Sequence, residues 1–240
     1  WKYLLPGLIA GVCVSIVYLL THPYPAFGAG LYLSMGEELI AQPFHLPETI
    51  PHYTDRGVPF AYPPLMLYVN GVFVSWLGVD PITYTRYVPN LVSVAALVPF
   101  YLFAETLLER RRAAGLATVL VAVMPPVLQW HISAGGIVRA PAYFLTLAGL
   151  YTGLKLFRSW NPRWLVASTL CFALTLLTHP MYATFFGVSY AWMWLSIDRS
   201  VRGFASGATV ALGGGLLSSP WWVAVASTHG IDVFTGASAT

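Results

Sequence analysis

The sequence predicts an all-α fold: a polytopic membrane protein of about seven transmembrane helices, with two interfacial helices in a long first extracytoplasmic loop. Three observations carry that expectation. Only 9% of the 240 residues are charged while 57% are hydrophobic, whereas a water-facing domain carries about a quarter charged residues. Apolar segments close to the ~20 residues that cross hydrocarbon recur along the whole chain. Lys and Arg collect in alternate connections between those segments, as the positive-inside rule requires. The net charge of +3 is too small to point to nucleic acid. Cys13 and Cys171 both fall in apolar segments and read as buried structural thiols.

Taken in order, residues 4–20 form the first span, interrupted only by Pro6. It follows Lys2 as a signal peptide would, but reads as a retained span because the helices after it need a partner. Residues 28–42 contain Glu37 and Glu38, too polar for lipid, and suit an interfacial helix with Leu31, Met35 and Leu39 on one face. Residues 43–64 hold six prolines and read as extended loop. Residues 65–77 offer about 20 Å of helix against about 30 Å of hydrocarbon, with Asn70 and Gly71 in the middle.

The basic residues decide what segment 65–77 does. Later spans fall near 87–108, 113–128, 137–157, 164–177, 181–197 and 204–219. If 65–77 lies along the outer interface and Lys2 is cytoplasmic, nine of the twelve Lys and Arg are inside. Arg56, Arg86 and Arg139 remain outside. If it spans, Arg110-Arg111-Arg112 moves outside, against the rule. The expectation is therefore a single module over 1–240, with an outer loop over 21–86. Trp1 in place of Met, and the Gly/Ser/Thr/Ala-rich end, are compatible with a piece of a longer protein.

That topology gathers all six histidines and five of the nine acids on or near the outer side. Glu37 or Glu38 in a partly apolar cleft suits a general base, because desolvation raises a carboxyl pKa toward neutrality; a solvated helix face is the plainer alternative. Arg139, at the start of a span, must face water, a headgroup phosphate or a protein cavity, and its planar fork suits phosphate. Arg56 and Arg86 offer the same chemistry or snorkel to headgroups. His179, in Thr178-His179-Pro180, reads as a capped turn residue, a pyrophosphate donor or a ligand beside a carboxylate. Tyr62 is held over a cavity if Pro63-Pro64 fixes the loop's return; a plain helix start is the alternative. No HxxH, HExxH or DxD pattern marks a dedicated metal site. Gly149-Leu150-Tyr151-Thr152-Gly153 and Gly203-Phe204-Ala205-Ser206-Gly207 match small-residue helix contacts.

The order of these parts resembles the GT-C glycosyltransferases, membrane enzymes that use polyprenyl-phosphate sugars and include protein O-mannosyltransferases, aminoarabinose transferases and oligosaccharyltransferase catalytic subunits. The resemblance runs through the first span, the amphipathic helix, Pro63-Pro64-Leu65, Arg86-Tyr87-Val88-Pro89, the basic turn at 109–117 and Pro125-Pro126. It implies the amino-terminal seven-span module of such an enzyme in a prokaryotic plasma membrane, amino terminus inside. It further implies an outer cavity where a lipid-phosphate-linked sugar meets its acceptor. Glu37 or Glu38 would be the base, Arg139 the donor-phosphate ligand, and His179, Tyr62, Arg56 and Arg86 would bind substrate. Membrane lipids and partner subunits, or a further carboxy-terminal region, would be the other partners, and a divalent metal would be the only cofactor to expect. The family usually has an Asp soon after the first span and a second acid in the next outer loop; no acid lies between His22 and Gly36, and Arg139 stands near the second place. That departure supports an alternative, a non-catalytic lipid-binding or scaffold subunit of the same fold.

Overall fold

Helix boundaries follow the punctuation in the chain. The computed structural model describes residues 1–25, 28–42, 45–50, 57–133 and 136–236. The described residues are helical apart from connections. The elements are α1 (Leu5–Thr21), α2 (Ala29–Ala41), α3 (Leu65–Gly71) with a π-helical turn (Val72–Trp76), α4 (Pro81–Leu108), α5 (Arg111–Ala122) and α6 (Pro125–Ile132). After them come α7 (Gly136–Ser159), α8 (Pro162–Leu176), α9 (Pro180–Ile197), α10 (Val201–Leu217), α11 (Ser219–His229) and α12 (Asp232–Gly236). Proline opens α4, α6, α8 and α9, where its missing N–H costs nothing. The Asp80 carboxylate caps α4, accepting from the Thr83 N–H at 2.8 Å and the Thr83 hydroxyl at 2.9 Å. Asn161 accepts from the Arg163 N–H at 3.0 Å, and Ser200 from the Gly203 N–H at 3.0 Å, at the starts of α8 and α10.

Each expected segment is helical, but one of them is broken and another is followed by a sharp bend. The expected helix at 113–128 is α5 followed by α6, bent by 60°. Pro125 drives Met124 into an extended conformation, so the helix cannot run through. The expected helix at 204–219 ends at Leu217, and α11 leaves at 61° from it. The arm before α3 is also more ordered than an extended loop. Thr49 and Pro59 form an antiparallel bridge, with the Ile50 N–H donating to Val58 O at 2.8 Å and the Phe60 N–H to Glu48 O at 3.1 Å. Cys13 is exposed on α1, where a buried thiol was expected, and Cys171 is half-buried. By length and composition α4 suffices to cross a membrane, and the bent pairs α5/α6 and α10/α11 would each add one span if continuous.

The helices α4 and α7 form the centre; α1 and α5 pack against α4, α8 and α9 pack against α7, and α10 packs against α8. Along α7 the Gly149/Gly153 pair does the work expected of it. A Cβ at Gly149 would overlap the Phe186 ring, and one at Gly153 would stand 2.5 Å from the Tyr190 phenol. Tyr190 in turn donates to Gly149 O at 2.8 Å. The first loop folds back as a layer over the α4/α7 end, where Met35, Leu39, Phe60, Leu67, Tyr84 and Ile137 share one core. Asn70 is buried and donates to Tyr32 O at 3.1 Å, so this polar residue near the end of α3 clamps α2. Several helices are apolar on their exposed side. On α1, Leu5, Ile9, Val12, Ile16 and Leu20 are exposed while Gly7, Gly11 and Ser15 are buried. On α9, Met181, Phe185, Val188, Trp192 and Leu195 face outward.

Candidate functional site

Where the loop layer meets the starts of α7 and α9, aromatic and imidazole side chains from five segments converge. Tyr62 reaches this place because Pro63 is buried and the Leu65 N–H donates to Leu177 O at 2.9 Å, tying the loop's return to the end of α8. His179 stands at the start of α9, with Tyr182 one turn on and therefore on the same face. Their ring centroids are 5.2 Å apart, and His179 lies 6.1 Å from Tyr62 in an edge-on contact. Tyr32 of α2 packs against Tyr62 at 5.5 Å. On the far side, the His131 ring lies tilted by 31° against Tyr143 of α7, with centroids 4.3 Å apart.

The proton positions in the His131 pair follow from its partners. Its Nδ1 bonds to Val127 O, which can only accept, so Nδ1 carries the hydrogen. In the neutral ring its Nε2 is then an acceptor, and the Tyr182 hydroxyl donates to it at 2.6 Å. His131 is neutral in this arrangement. His179 is neutral for a different reason. Burial, reinforced by the charge of Arg139, lowers its pKa to about 4. Its Nδ1 is buried and unbonded among the described residues, as is the Tyr62 hydroxyl. Burial first, and then the Tyr32 phenol, pushes the Tyr62 pKa up, so that hydroxyl keeps its proton.

Arg139, in the first turn of α7, supplies the positive charge of this place. Its guanidinium lies 4.5 Å from the Trp130 ring centroid, and its charge is felt by Tyr62, Tyr182, His131 and His179. Among the described residues no carboxylate lies within ion-pair distance of it. Among the described residues, the arrangement is one cation with neutral phenols, imidazoles and aromatic faces around it. Such a set can take an anion, with Arg139 as the fork and the unbonded Tyr62 hydroxyl and His179 imidazole as its neutral partners. No group of three His, Cys, Asp or Glu able to hold a metal ion occurs among the described residues.

Of the residues singled out in the sequence, Tyr62, Arg139 and His179 come together. Arg86 serves elsewhere: its Nη2 donates to Leu19 O at 2.6 Å, capping the last turn of α1. Arg56 lies outside the described residues. Glu37 is exposed and Glu38 half-buried. At about 100° per residue, Glu37 stands roughly 200° from the buried Met35, on the opposite face of α2, while Tyr32 shares the buried face. His131, Tyr143 and Tyr182 were not singled out. The gathering of histidines at outer span ends was the available signal for His131, and the three-residue spacing from His179 was that for Tyr182. No family model matches this chain. No curated protein matches it either. An open apolar groove of about 460 Å³ between α9 and α10, walled by Trp194 and Phe204, is separate from this site. Trp194 is 15 residues beyond His179 on α9, or about 22 Å along the helix axis.

Proposed function

We propose that this chain is the membrane module of a GT-C-type glycosyltransferase that holds a polyprenyl-phosphate-linked sugar at the outer membrane face. The observation that carries the reading is Arg139, a cation without a described carboxylate partner, set among neutral His131, His179, Tyr62 and Tyr182. A lipid phosphate supplies the missing negative charge and enough acceptor oxygens for the surrounding donors. The outward apolar stripes of α1 and α9 support a bilayer around the bundle, since exposed apolar surface on this scale is rare in water. In this reading α1, α4, α5/α6, α7, α8, α9 and α10/α11 are the seven spans, and the loop layer with α2 and α3 roofs the outer end.

In the transfer step, an acceptor hydroxyl attacks the anomeric carbon of the sugar. The bond from that carbon to the phosphate oxygen breaks, and the phosphate leaves with the electron pair. Arg139 stabilises the charge that grows on the leaving phosphate. Glu37 or Glu38 accepts the acceptor's proton, which needs α2 to present one of them to the bound substrate. The outward orientation of Glu37 and the half-exposed position of Glu38 favour a second reading, a lipid-binding subunit of the same fold without transfer activity.

One experiment separates the two. The protein in liposomes is given a radiolabelled polyprenyl-phosphate sugar, and both lipid binding and sugar transfer are measured. Loss of the Arg139 fork should weaken lipid binding about ten- to a hundredfold in R139Q, from the roughly 1.5–3 kcal/mol of a charge-assisted contact. Replacement of the base by Gln at position 37 or 38 should lower transfer by about 10²–10⁴ while binding persists. Full transfer in both glutamine variants would remove the base assignment. Binding without transfer in the unsubstituted protein supports the second reading, and equal binding by R139Q refutes the site itself.

A further inference from the structure

A second charged site lies at the opposite end of α1 from the loop layer. Lys2, Tyr3, Arg110, Arg111, Arg112 and Ala113 line an open cleft of about 610 Å³. Four cations share it. Arg111 has an acid partner, Glu105, at 2.7 Å. Arg110 and Arg112 face no carboxylate within ion-pair distance among the described residues. The Lys2 ammonium lies 5.2 Å from the Tyr3 ring centroid, and a side-chain hydrogen bond from Arg112, followed by the Lys2 charge, holds the Tyr3 phenol below its usual pKa. Other cations on the same side are differently placed. Lys155, Arg163 and Arg202 sit over Tyr151, Trp164 and Trp160, and Arg158 pairs with Glu109 at 3.2 Å.

The cleft concentrates positive charge where the backbone already supplies it. Arg110 is the N-cap of α5 and makes no side-chain cap bond, and the first turn contains Arg111 and Arg112 with no acid. A helix N-terminus carries about half a positive charge, so cations there repel it and an anion relieves both at once. Beside the charges runs an apolar flank. From Ala113 the residues Leu116 and Leu120 continue along one side of α5 and are exposed, as are Leu5 and Ile9 on α1, which packs against α5.

We propose that this cleft binds the phosphate headgroup of an anionic membrane lipid, with Arg110, Arg112 and Lys2 on the phosphate and the exposed leucines along its acyl chains. The apolar flank selects a lipid over a free phosphate. The site rests on the membrane reading of the chain but not on glycosyl transfer, and it is distinct from the Arg139 site.

The test uses the purified full chain in detergent with phosphatidylglycerol as probe, read by native mass spectrometry and by titration. The R139Q protein serves as background, so that the outer site does not contribute. Phosphatidylglycerol should bind, weaken with added salt, and lose at least tenfold in affinity in R110Q/R112Q. R199Q/R202Q, which removes two cations from another connection, should bind as before. Circular dichroism and gel filtration of each variant report folding. Equal losses in the two double variants would overturn the site in favour of diffuse charge attraction. Inorganic phosphate binding as tightly as the lipid, with the same sensitivity to R110Q/R112Q, would overturn the lipid assignment. Absence of phosphatidylglycerol binding overturns the proposal whatever happens at Arg139.

Discussion

Removal of the Tyr182 hydroxyl is the sharpest probe of the buried cluster. In Tyr182→Phe the ring remains, but His131 Nε2 loses the donor now at 2.6 Å. His131 is 6% exposed, so little solvent reaches it to replace that donor. An unsatisfied buried acceptor costs about 1–3 kcal/mol. Side-chain hydrogen bonds within membrane proteins couple more weakly in double-mutant cycles, averaging about 0.6 kcal/mol and reaching about 1.7. The expected loss for Tyr182→Phe is therefore about 1–2 kcal/mol, and the coupling to His131→Phe about 1 kcal/mol. The assay is reversible unfolding in mixed detergent and dodecyl sulfate micelles for the parent, both single variants and the double variant. Nitrogen NMR of labelled imidazole should show the hydrogen on Nδ1 in the parent, and a changed Nε2 signal in Tyr182→Phe. Additivity of the two substitutions within about 0.3 kcal/mol would refute the pair as an energetic unit. A hydrogen on Nε2 in the parent would refute the assigned direction of the bond.

Two further outcomes follow from the packing and the charges. Gly153→Leu should destabilise the protein by about 1–3 kcal/mol, because the new side chain must displace the Tyr190 ring from the α7/α9 contact; the same unfolding assay reads it. His179 has a folded pKa of about 4, against roughly 6.5 in an unfolded chain. Between those values the unfolded state binds more protons, so stability falls as pH drops from about 6.5 to about 4 and levels below that. His179→Gln should make that decline shallower, measured as the unfolding midpoint against pH. An unchanged slope would contradict the buried neutral imidazole.

The helical skeleton was legible because apolar runs, prolines and capping residues act locally. Asn161-Pro162 and His179-Pro180 each mark a helix start within two residues of the expected one, while Asp80-Pro81 opens α4 six residues ahead of the expected start at 87. The Gly149/Gly153 contact was legible for the same reason: two small residues a turn apart announce a close neighbour. The break at Met124 is written in Pro125-Pro126, although the apolar run around it points to one segment over 113–128. The clamp of Asn70 on Tyr32 was not legible, since it joins residues 38 positions apart.

The sequence alone determined that the chain is helical and that its surface is short of charge. These properties depend on composition and short-range periodicity. Tertiary structure decided which polar residues meet. It brought Tyr32, Tyr62, His131, Arg139, Tyr143, His179 and Tyr182 together from segments spread over 151 positions of the chain, and it used Arg86 as a cap for α1. It also turned Glu37 to the outer face of α2. The physical reason is that helix rotation is set by the core. Burial of Met35 and Leu39 fixes the facing of α2, and the neighbouring glutamates take the directions that remain.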